Sequence, residues 1–277
     1  MNLLKRIRNR LFGYPSRRDF AVLKGKKLSL LHDSGFFSNC SVLLMNLAKA
    51  PQHPIFIDAT SSFSYFTDSG RPFEWNQYFS PPPKNVTVDP GAWRRSRLAR
   101  LLPHHSLYGL LDYRVATEIR DTYFRLSDGV VDRVRELETH HLPAPVGEVL
   151  VICLRGTDKS TEVKPSSLNS YLRRARRVLR AHQNLRVWIQ TDQKQIRDFL
   201  LEQLGPRSFA LDVLPVTADS SVIHQSKMLS SRSEFTRDLL AITWLMSQSH
   251  SVITYTGNVG YWISIFRGNS KRLHQLR

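Results

Sequence analysis

The residues best suited to chemistry lie in one segment near the middle of the chain, GEVLVICLRGTDKSTEVK at positions 147–164. The segment opens with an apolar run, Val149–Leu154, and its β-branched residues and flanking glycine and prolines predict a strand buried on both faces. Arg155, Gly156 and six polar residues follow at once. Ligands of open parallel sheets bind beyond the carboxyl ends of the strands. The pattern therefore favours a functional loop, with a polar connection and an ordinary salt bridge as the alternative.

Two more predicted strands of the second half end in polar residues. The strand 185–190 is followed by Thr191 and Asp192, and the strand Ser251–Tyr255 is followed by the tripeptide 256–258, Thr-Gly-Asn. In a parallel sheet these ends share one edge, which then carries an arginine, a lysine, carboxylates, a hydroxyl and a helix start. Arginine binds phosphate oxygens through two N–H groups, helix N-termini bind anions, and a carboxylate can serve as general base. This inventory suits a diphosphate leaving group.

The elements that must position these residues alternate along the second half of the chain. Helices are predicted over 167–182, 194–203 and 232–247 and from Tyr261 onward, with a further strand over 209–214. Alternation of this period and length implies an α/β fold with a doubly wound parallel sheet.

The first half begins with a predicted βαβ unit. A strand over 27–31 leads through a turn ending at Gly35 to a helix over 36–50 and a strand over 54–58. The helix N-terminus near Gly35 is suited to an anion. The Pro- and Gly-rich stretch 141–147 predicts the boundary between a domain 1–146 and a domain 147–277.

The composition limits the classes of partner that the chain is suited to bind. The 277 residues include 40 Lys and Arg against 23 Asp and Glu, a formal charge of +17, which indicates nucleic acid, an anionic membrane face or phosphorylated small molecules. Two cysteines without Cys/His ligand spacing favour a reducing, cytoplasmic setting and predict no metal site. The P-loop, GxGxxG, GxSxG, HExxH and Asp-x-Asp patterns do not occur, so the predicted diphosphate site is cationic and metal-free.

Three further segments each allow two interpretations. The N-terminal segment 1–20 places apolar residues at helical spacing among Lys and Arg, as in a helix on the inner face of an anionic membrane or a helix packed on the domain. The aromatic stretch 61–83 fits an acceptor-binding lid or a hydrophobic cluster under a loop. The arginines of helix 167–182 form a solvated face or part of a nucleic-acid-binding surface.

Four of these segments resemble one known group. CLRGTDKSTE is similar to the HVRRTDK…TE motif of the α-1,6-fucosyltransferases, a group that includes nodulation-type bacterial enzymes and lies in the protein O-fucosyltransferase superfamily. HDSGFFSNCSVLL resembles the N-terminal Gly-rich turn of that superfamily, WIQTDQKQIRDF its TDD motif, and VITYTGNVGYWI its TxSSNV segment. The four pieces occur in the expected order between about Leu28 and Trp262. The resemblance implies a GT-B-like fold of two Rossmann-like domains facing a cleft, with acceptor binding in the first and nucleotide-sugar binding in the second.

The resemblance also implies roles for individual residues. Arg155 corresponds to the arginine that holds the diphosphate, and Glu162 to the catalytic base, supported by Lys159 and Asp158. The residues that match donor-binding positions are Gly35, Asn39, Asp192, Asp238, Thr256, Gly257 and Asn258, together with Arg155 itself.

The chain departs from the motifs at several positions. Cys153 stands where the motif has histidine, Gly156 where it has a second arginine, and Gln193 where it has a second aspartate. Asn39 replaces a glutamine and Gly257 a serine. These changes bear on the guanine contacts and on the choice of sugar more than on glycosyl transfer.

The resemblance therefore predicts an inverting, metal-independent glycosyltransferase that moves fucose from GDP-fucose to a hydroxyl of a glycan or lipid-linked glycan. Another nucleotide sugar would suit the same departures. A basic nucleic-acid-binding protein is the alternative from the charge, and a catalytically degenerate sugar-nucleotide-binding scaffold is the alternative from the altered motifs.

Overall fold

A computed structural model describes residues 20–50, 54–68, 70–83, 108–156, 166–218 and 229–276. The predicted N-terminal helix and the residues Asp158, Lys159 and Glu162 lie outside these ranges. The chain forms two compact units, Met1–Ser127 and Asp128–Arg277.

The division falls earlier in the sequence than the predicted boundary at 146/147. The reason is the helix Asp128–His140 (α3), whose apolar residues Val130, Val134 and Leu137 are buried and which packs against the later helix Arg232–Gln248 (α6). A helix belongs with the element that buries its apolar stripe. The Pro- and Gly-rich stretch 141–147 is therefore a connection inside the second unit.

The second unit contains a five-stranded parallel sheet, which confirms the predicted α/β fold. Its strands are β4 (Val149–Leu154), β5 (Arg186–Thr191), β6 (Ser208–Phe209), β7 (Ser251–Tyr255) and β8 (Leu273–Leu276). Their order across the sheet is β6-β5-β4-β7-β8. The connecting helices are α4 (Leu168–Ala181), α5 (Lys194–Leu204), α6 and α7 (Asn258–Arg267).

The strand order reverses direction at the centre of this sheet. From β4 the chain builds outward through β5 to β6, then returns to the other side of β4 to form β7 and β8. Right-handed crossovers place the helices of the two halves on opposite faces. Accordingly α4 and α5 share a core with Leu150, Ile152 and Leu154, whereas α6 packs against α7. The carboxyl ends of β4 and β7 therefore flank a topological switch point, where ligands bind in such sheets.

Most of the elements predicted in this unit are confirmed within two residues, but its two edges differ. The strand predicted over 209–214 ends at Phe209, because the chain turns at residues 212–213 and Pro215 has no N–H to donate to a ladder. The edge strand β8 was not predicted, since its half-buried LHQL sequence lacks the apolar run of the central strands.

The first unit contains a smaller sheet of three described strands, β1 (Ala21–Lys24), β2 (Lys27–Leu30) and β3 (Phe56–Asp58). Helix α1 (Phe36–Leu47) connects β2 to the parallel β3, which confirms the predicted βαβ unit. An antiparallel hairpin of β1 and β2 turns at Gly25 with φ of 57°. The described strands thus form a mixed sheet and not the doubly wound parallel sheet predicted for this domain.

The aromatic stretch 61–83 forms the core of the first unit. Phe63, Phe66, Phe73 and Phe79 are at most 2% exposed and surround Phe36 at the start of α1. The rings of Phe63 and Phe73 stack with centroids 4.2 Å apart. Helix α2 (Tyr113–Tyr123) adds further apolar residues beside α1. Of the two interpretations, the hydrophobic cluster is therefore correct, because these rings are not available as a lid.

Candidate functional site

The end of β4 is held by the carboxylate that follows β5. The register pairs Leu154 with Thr191, so Arg155 and Asp192 each lie one residue beyond it. The Gly156 N–H donates to Asp192 Oδ1 at 2.7 Å, and Arg155 Nε donates to Asp192 Oδ2 at 3.2 Å. The structure thus brings together two of the predicted site residues. Asp192 fixes both the backbone and the guanidinium at the β4 end.

Asp192 is itself anchored through its backbone. Its carbonyl oxygen accepts hydrogen bonds from the Thr217 N–H at 2.9 Å and from Thr217 Oγ1 at 3.2 Å. The Thr217 carbonyl accepts in turn from the Lys194 N–H at the start of α5. Thr217 was not predicted as a site residue, since it lies 25 residues from Asp192 in an irregular segment. The carboxylate therefore has a fixed place at the sheet edge.

Two of the departures from the motif touch each other. A Cβ on Gly156 would overlap the side-chain amide of Gln193 and the terminal methyl of Ile196. The space beside the backbone at 156 is therefore filled by the glutamine that replaces the motif aspartate. An arginine at 156 requires Gln193 to move, so the two changes are coupled.

The end of β7 lies beside the end of β4. The register pairs Cys153 with Thr254, which places Arg155 and Thr256 two residues beyond the same pair. Thr256 Oγ1 accepts a hydrogen bond from Gln275 Nε2 of β8 at 2.9 Å. Gln275 was not foreseen because β8 was not predicted. Thr256 and the start of α7 thus face the switch point from the side opposite to Asp192.

Gly257 has a steric reason to differ from the motif serine. A Cβ at this position would overlap the ring of Tyr255. Gly257 is also the N-cap residue of α7 and, being glycine, has no side chain with which to cap the helix. Asn258 is the first residue of α7, so the backbone of this turn lies close to the dipole of the helix.

Cys153, which replaces the motif histidine, is buried at the penultimate position of β4. Burial raises the pKa of its thiol to about 12. The group therefore stays neutral near pH 7 and cannot replace a titrating imidazole.

Asp238 lies in a different place from the strand ends. It is on α6, where Oδ1 accepts from Arg133 Nε of α3 at 2.7 Å, and Arg133 also pairs with Glu136. Asp238 lines a cavity of about 420 Å³ between residues 212–216 and the start of α6. The structure thus gives this carboxylate an ion-pairing role, and its predicted part in donor binding stays a prediction.

Gly35 and Asn39 are together in the first unit. Asn39 is fully buried in the first turn of α1, and its Oδ1 accepts from the Ser34 N–H at 3.1 Å. Its Nδ2 is buried and has no hydrogen-bond partner in the part of the chain that is described. A Cβ on Gly35 would meet no atom within 4 Å. The turn before α1 therefore combines open space at Gly35 with an unused buried donor.

The described ranges contain neither a grouped set of metal ligands nor a membrane-spanning helix. Within them, no three His, Cys, Asp or Glu side chains are grouped to hold a metal ion. None of the described helices has the length and apolar character required to cross a bilayer.

Comparison with known proteins gives matches among solved structures. No protein-family model matches the chain, and no curated protein matches it. NodZ alpha-1,6-fucosyltransferase soaked with GDP-fucose is 15% identical, with 87% of this chain and 91% of that chain covered and a TM-score of 0.49. Fucosyltransferase NodZ from Bradyrhizobium is 14% identical over 87% of this chain and 91% of that chain, with a TM-score of 0.45.

A third solved structure is the apo form of POFUT1, which is 10% identical over 59% of this chain and 49% of that chain, with a TM-score of 0.39. The NodZ structures among these matches are of fucosyltransferases, the group that the motifs of this chain resemble.

Proposed function

We propose that the chain is an inverting, metal-independent glycosyltransferase that transfers fucose from GDP-fucose to a hydroxyl of a glycan or lipid-linked glycan. The observation that carries the proposal is the position of Arg155 and the Thr256–Gly257–Asn258 turn at the ends of β4 and β7. These two ends flank the point where the strand order reverses.

The proposed chemistry places stabilisation of the leaving group at this edge. As the bond from the sugar C1 to the diphosphate oxygen breaks, negative charge grows on the diphosphate. The Arg155 guanidinium and the N-terminus of α7 oppose that charge, and such preorganised electrostatic stabilisation accounts for most of the rate enhancement in many enzymes. Asp192 holds the guanidinium in place before the donor binds.

The acceptor side of the reaction rests on the resemblance. The acceptor hydroxyl attacks C1 from the face opposite to the diphosphate, and its proton passes to the carboxylate of Glu162, with Lys159 and Asp158 beside it. In the GT-B-like arrangement we propose, the first unit provides acceptor contacts, and Gly35 and Asn39 contribute to donor binding. The proposed location is the cytoplasm, at the inner face of the membrane.

The nucleotide is tested by calorimetric titration of GDP, UDP and GMP with EDTA present. We expect GDP to bind in the micromolar range. GDP should also bind more tightly than GMP, because a diphosphate offers more oxygens to Arg155 than a monophosphate does. Arg155→Ala is expected to weaken GDP binding at least tenfold and to nearly abolish sugar transfer.

A preference for UDP would keep a transferase and discard fucose, and normal activity in Arg155→Ala would discard the site. Binding of GDP without any turnover would favour the catalytically degenerate scaffold. That second candidate is supported by Cys153, whose neutral thiol replaces a histidine, and by the loss of an arginine at Gly156.

A further inference from the structure

Helix α4 exposes a row of arginines on the second unit. Arg173, Arg176, Arg177 and Arg180 recur at intervals of three and four residues, so they share one helix face. The opposite face buries Tyr171, Ala175 and Val178 against the sheet. Because the helix lies along the sheet, the row forms a line roughly 10 Å long at 1.5 Å per residue.

The charge of this row is not balanced within the described chain. No Asp or Glu of the described ranges lies within 4.0 Å of these four guanidinium groups, whereas Arg133, Arg155 and Arg197 each have such a partner. Like charges three or four residues apart on a helix destabilise it by roughly 0.2–0.5 kcal/mol per pair. The row thus lowers the stability of α4, so it is better explained by a ligand than by folding.

The arginines also enclose a place for an anionic group. A groove of about 290 Å³ is lined by Asn169, Leu172, Arg173, Arg176 and Arg180. Guanidinium groups bind phosphate oxygens through paired N–H groups. Leu172 forms an apolar part of the same groove, against which the stems of the arginines can lie. The groove therefore has the chemistry of a phosphate-ester site on an exposed surface.

The remaining exposed residues of α4 favour a lipid surface over a single-stranded nucleic acid. They are Asn169 and Ala181, so no aromatic ring is exposed on this helix. Sites for single-stranded nucleic acids combine cationic grooves with rings on which the bases stack. A membrane surface needs only a row of cations, each contributing about 1 kcal/mol next to anionic lipids.

We propose that the arginine face of α4 docks the protein onto an anionic phospholipid surface, with Arg173, Arg176 and Arg180 contacting headgroup phosphates. This docking does not depend on the proposed sugar transfer, since α4 contacts lipid whether or not a nucleotide binds. For a transferase acting on a lipid-linked acceptor, it would hold the enzyme at the surface that carries the substrate.

The test is co-sedimentation of the full chain with vesicles of phosphatidylcholine alone or mixed with phosphatidylglycerol. Binding is expected only to the mixed vesicles. The triple variant R173Q/R176Q/R180Q is expected to lose on the order of 100-fold in apparent partition, from about fivefold per arginine. Thermal unfolding of the variant checks that it is folded, and GDP titration reads the proposed donor site separately.

The matched control is R114Q/R125Q/R135Q, which removes three exposed arginines from other elements and lowers the net charge equally. The control is expected to keep most of the binding, because its arginines are not in one row. Equal loss in the two triple variants, or no loss in the α4 variant, would overturn the proposal. So would tighter binding of single-stranded RNA than of mixed vesicles at equal phosphate concentration.

Discussion

The ion pair between Arg155 and Asp192 should contribute more to stability than an exposed salt bridge does. Their side chains are 24% and 11% exposed, and the same carboxylate also accepts the Gly156 N–H. Removing the charge of Asp192 therefore affects the backbone at the β4 end as well as the guanidinium. We propose Asp192 as a positioning residue, because it determines where the Arg155 guanidinium lies.

The substitution Asp192→Asn tests this role. The amide can accept the Gly156 N–H only by turning its NH₂ group toward Arg155 Nε, which is also a donor. We expect the free energy of unfolding to fall by about 1–3 kcal/mol and GDP affinity to fall about tenfold, as measured by urea unfolding and calorimetry.

Asp198→Asn is the control, since Asp198 pairs with Lys194 on the exposed side of α5. This variant should change neither the free energy of unfolding nor the free energy of GDP binding by more than a few tenths of a kcal/mol. Unchanged GDP affinity in Asp192→Asn would mean that Arg155 is held by other contacts.

Gly156 and Gln193 show how an altered motif can remain self-consistent. Each residue alone departs from the motif, and the sequence gives no sign that they are neighbours. The structure shows that the Gln193 amide fills the space beside Gly156. The two positions at which the motif has an arginine and an aspartate are thus in contact in this chain, and both residues here are uncharged.

At the scale of elements, the small parallel pair β2–β3 depends on one carboxylate at its end. Asp58 Oδ2 lies 2.8 Å from Lys27 Nζ, and Oδ1 accepts from the Thr60 hydroxyl at 2.8 Å. Lys27 first, and then Thr60, lower the pKa of Asp58 from 3.8 to about 2. The carboxylate thereby couples the start of β2 to the turn after β3.

The lowered pKa predicts a specific loss of stability in acid. Because the folded pKa lies below the unfolded value, Asp58 contributes stability that is complete above pH 3.8 and is lost as pH falls toward about 2. Asp58→Asn should remove this part of the pH dependence, as followed by urea unfolding between these limits.

The companion variant Lys27→Met should raise the pKa of Asp58 toward its ordinary value. Stability should then depend less steeply on pH between 3.8 and about 2. The effect is moderate, since the Lys27 side chain is 55% exposed and solvent screens the pair. An unchanged slope in both variants would show that the pair does not persist in solution.

Local sequence specifies the central elements of the second unit more clearly than the peripheral elements of either unit. The buried strands β4 and β7 are continuous apolar runs, and α6 has a clear helical period, so local sequence specified them. The hairpin strand β1 and the edge strand β8 were missed because half-exposed short strands carry no such signal.

The candidate site likewise has features that local sequence specifies and features that depend on contacts between distant residues. Arg155 and Thr256 could be placed at one edge of the sheet because strand ends follow from the apolar pattern, whereas the direct pairing of β4 with β7 was not predicted. The anchoring of Asp192 by Thr217, and the pairing of Asp238 with Arg133, depend on contacts between residues 25 and 105 positions apart. No local pattern encodes such contacts.

At the scale of the whole molecule, the net charge is +17, and the basic side chains are unevenly paired with acidic ones. Ion pairs join α3 to α6 and the end of β4 to the end of β5, while the row on α4 has no acidic partner in the described ranges. A large net charge of one sign opposes the compact state through self-repulsion. The repulsion is greatest where the charges are adjacent, so α4 should account for a disproportionate share of it.

This unevenness predicts different effects of two equal changes in net charge. R173Q/R176Q/R180Q removes every three- and four-residue arginine contact of the row, which should stabilise the fold at low salt by about 1–2 kcal/mol. In a protein of this size that raises Tm by roughly 2–8 °C. R114Q/R125Q/R135Q should leave Tm nearly unchanged, because its arginines lie far apart in sequence and the pair that Arg135 forms with Asp132 is exposed and contributes little. Thermal unfolding at low and high salt measures both variants. Salt should abolish the difference because it screens exposed charges within about one Debye length. A gain in Tm that persists at high salt would arise from packing or helix propensity, and equal gains in both variants would show that total charge, not its position on α4, limits stability.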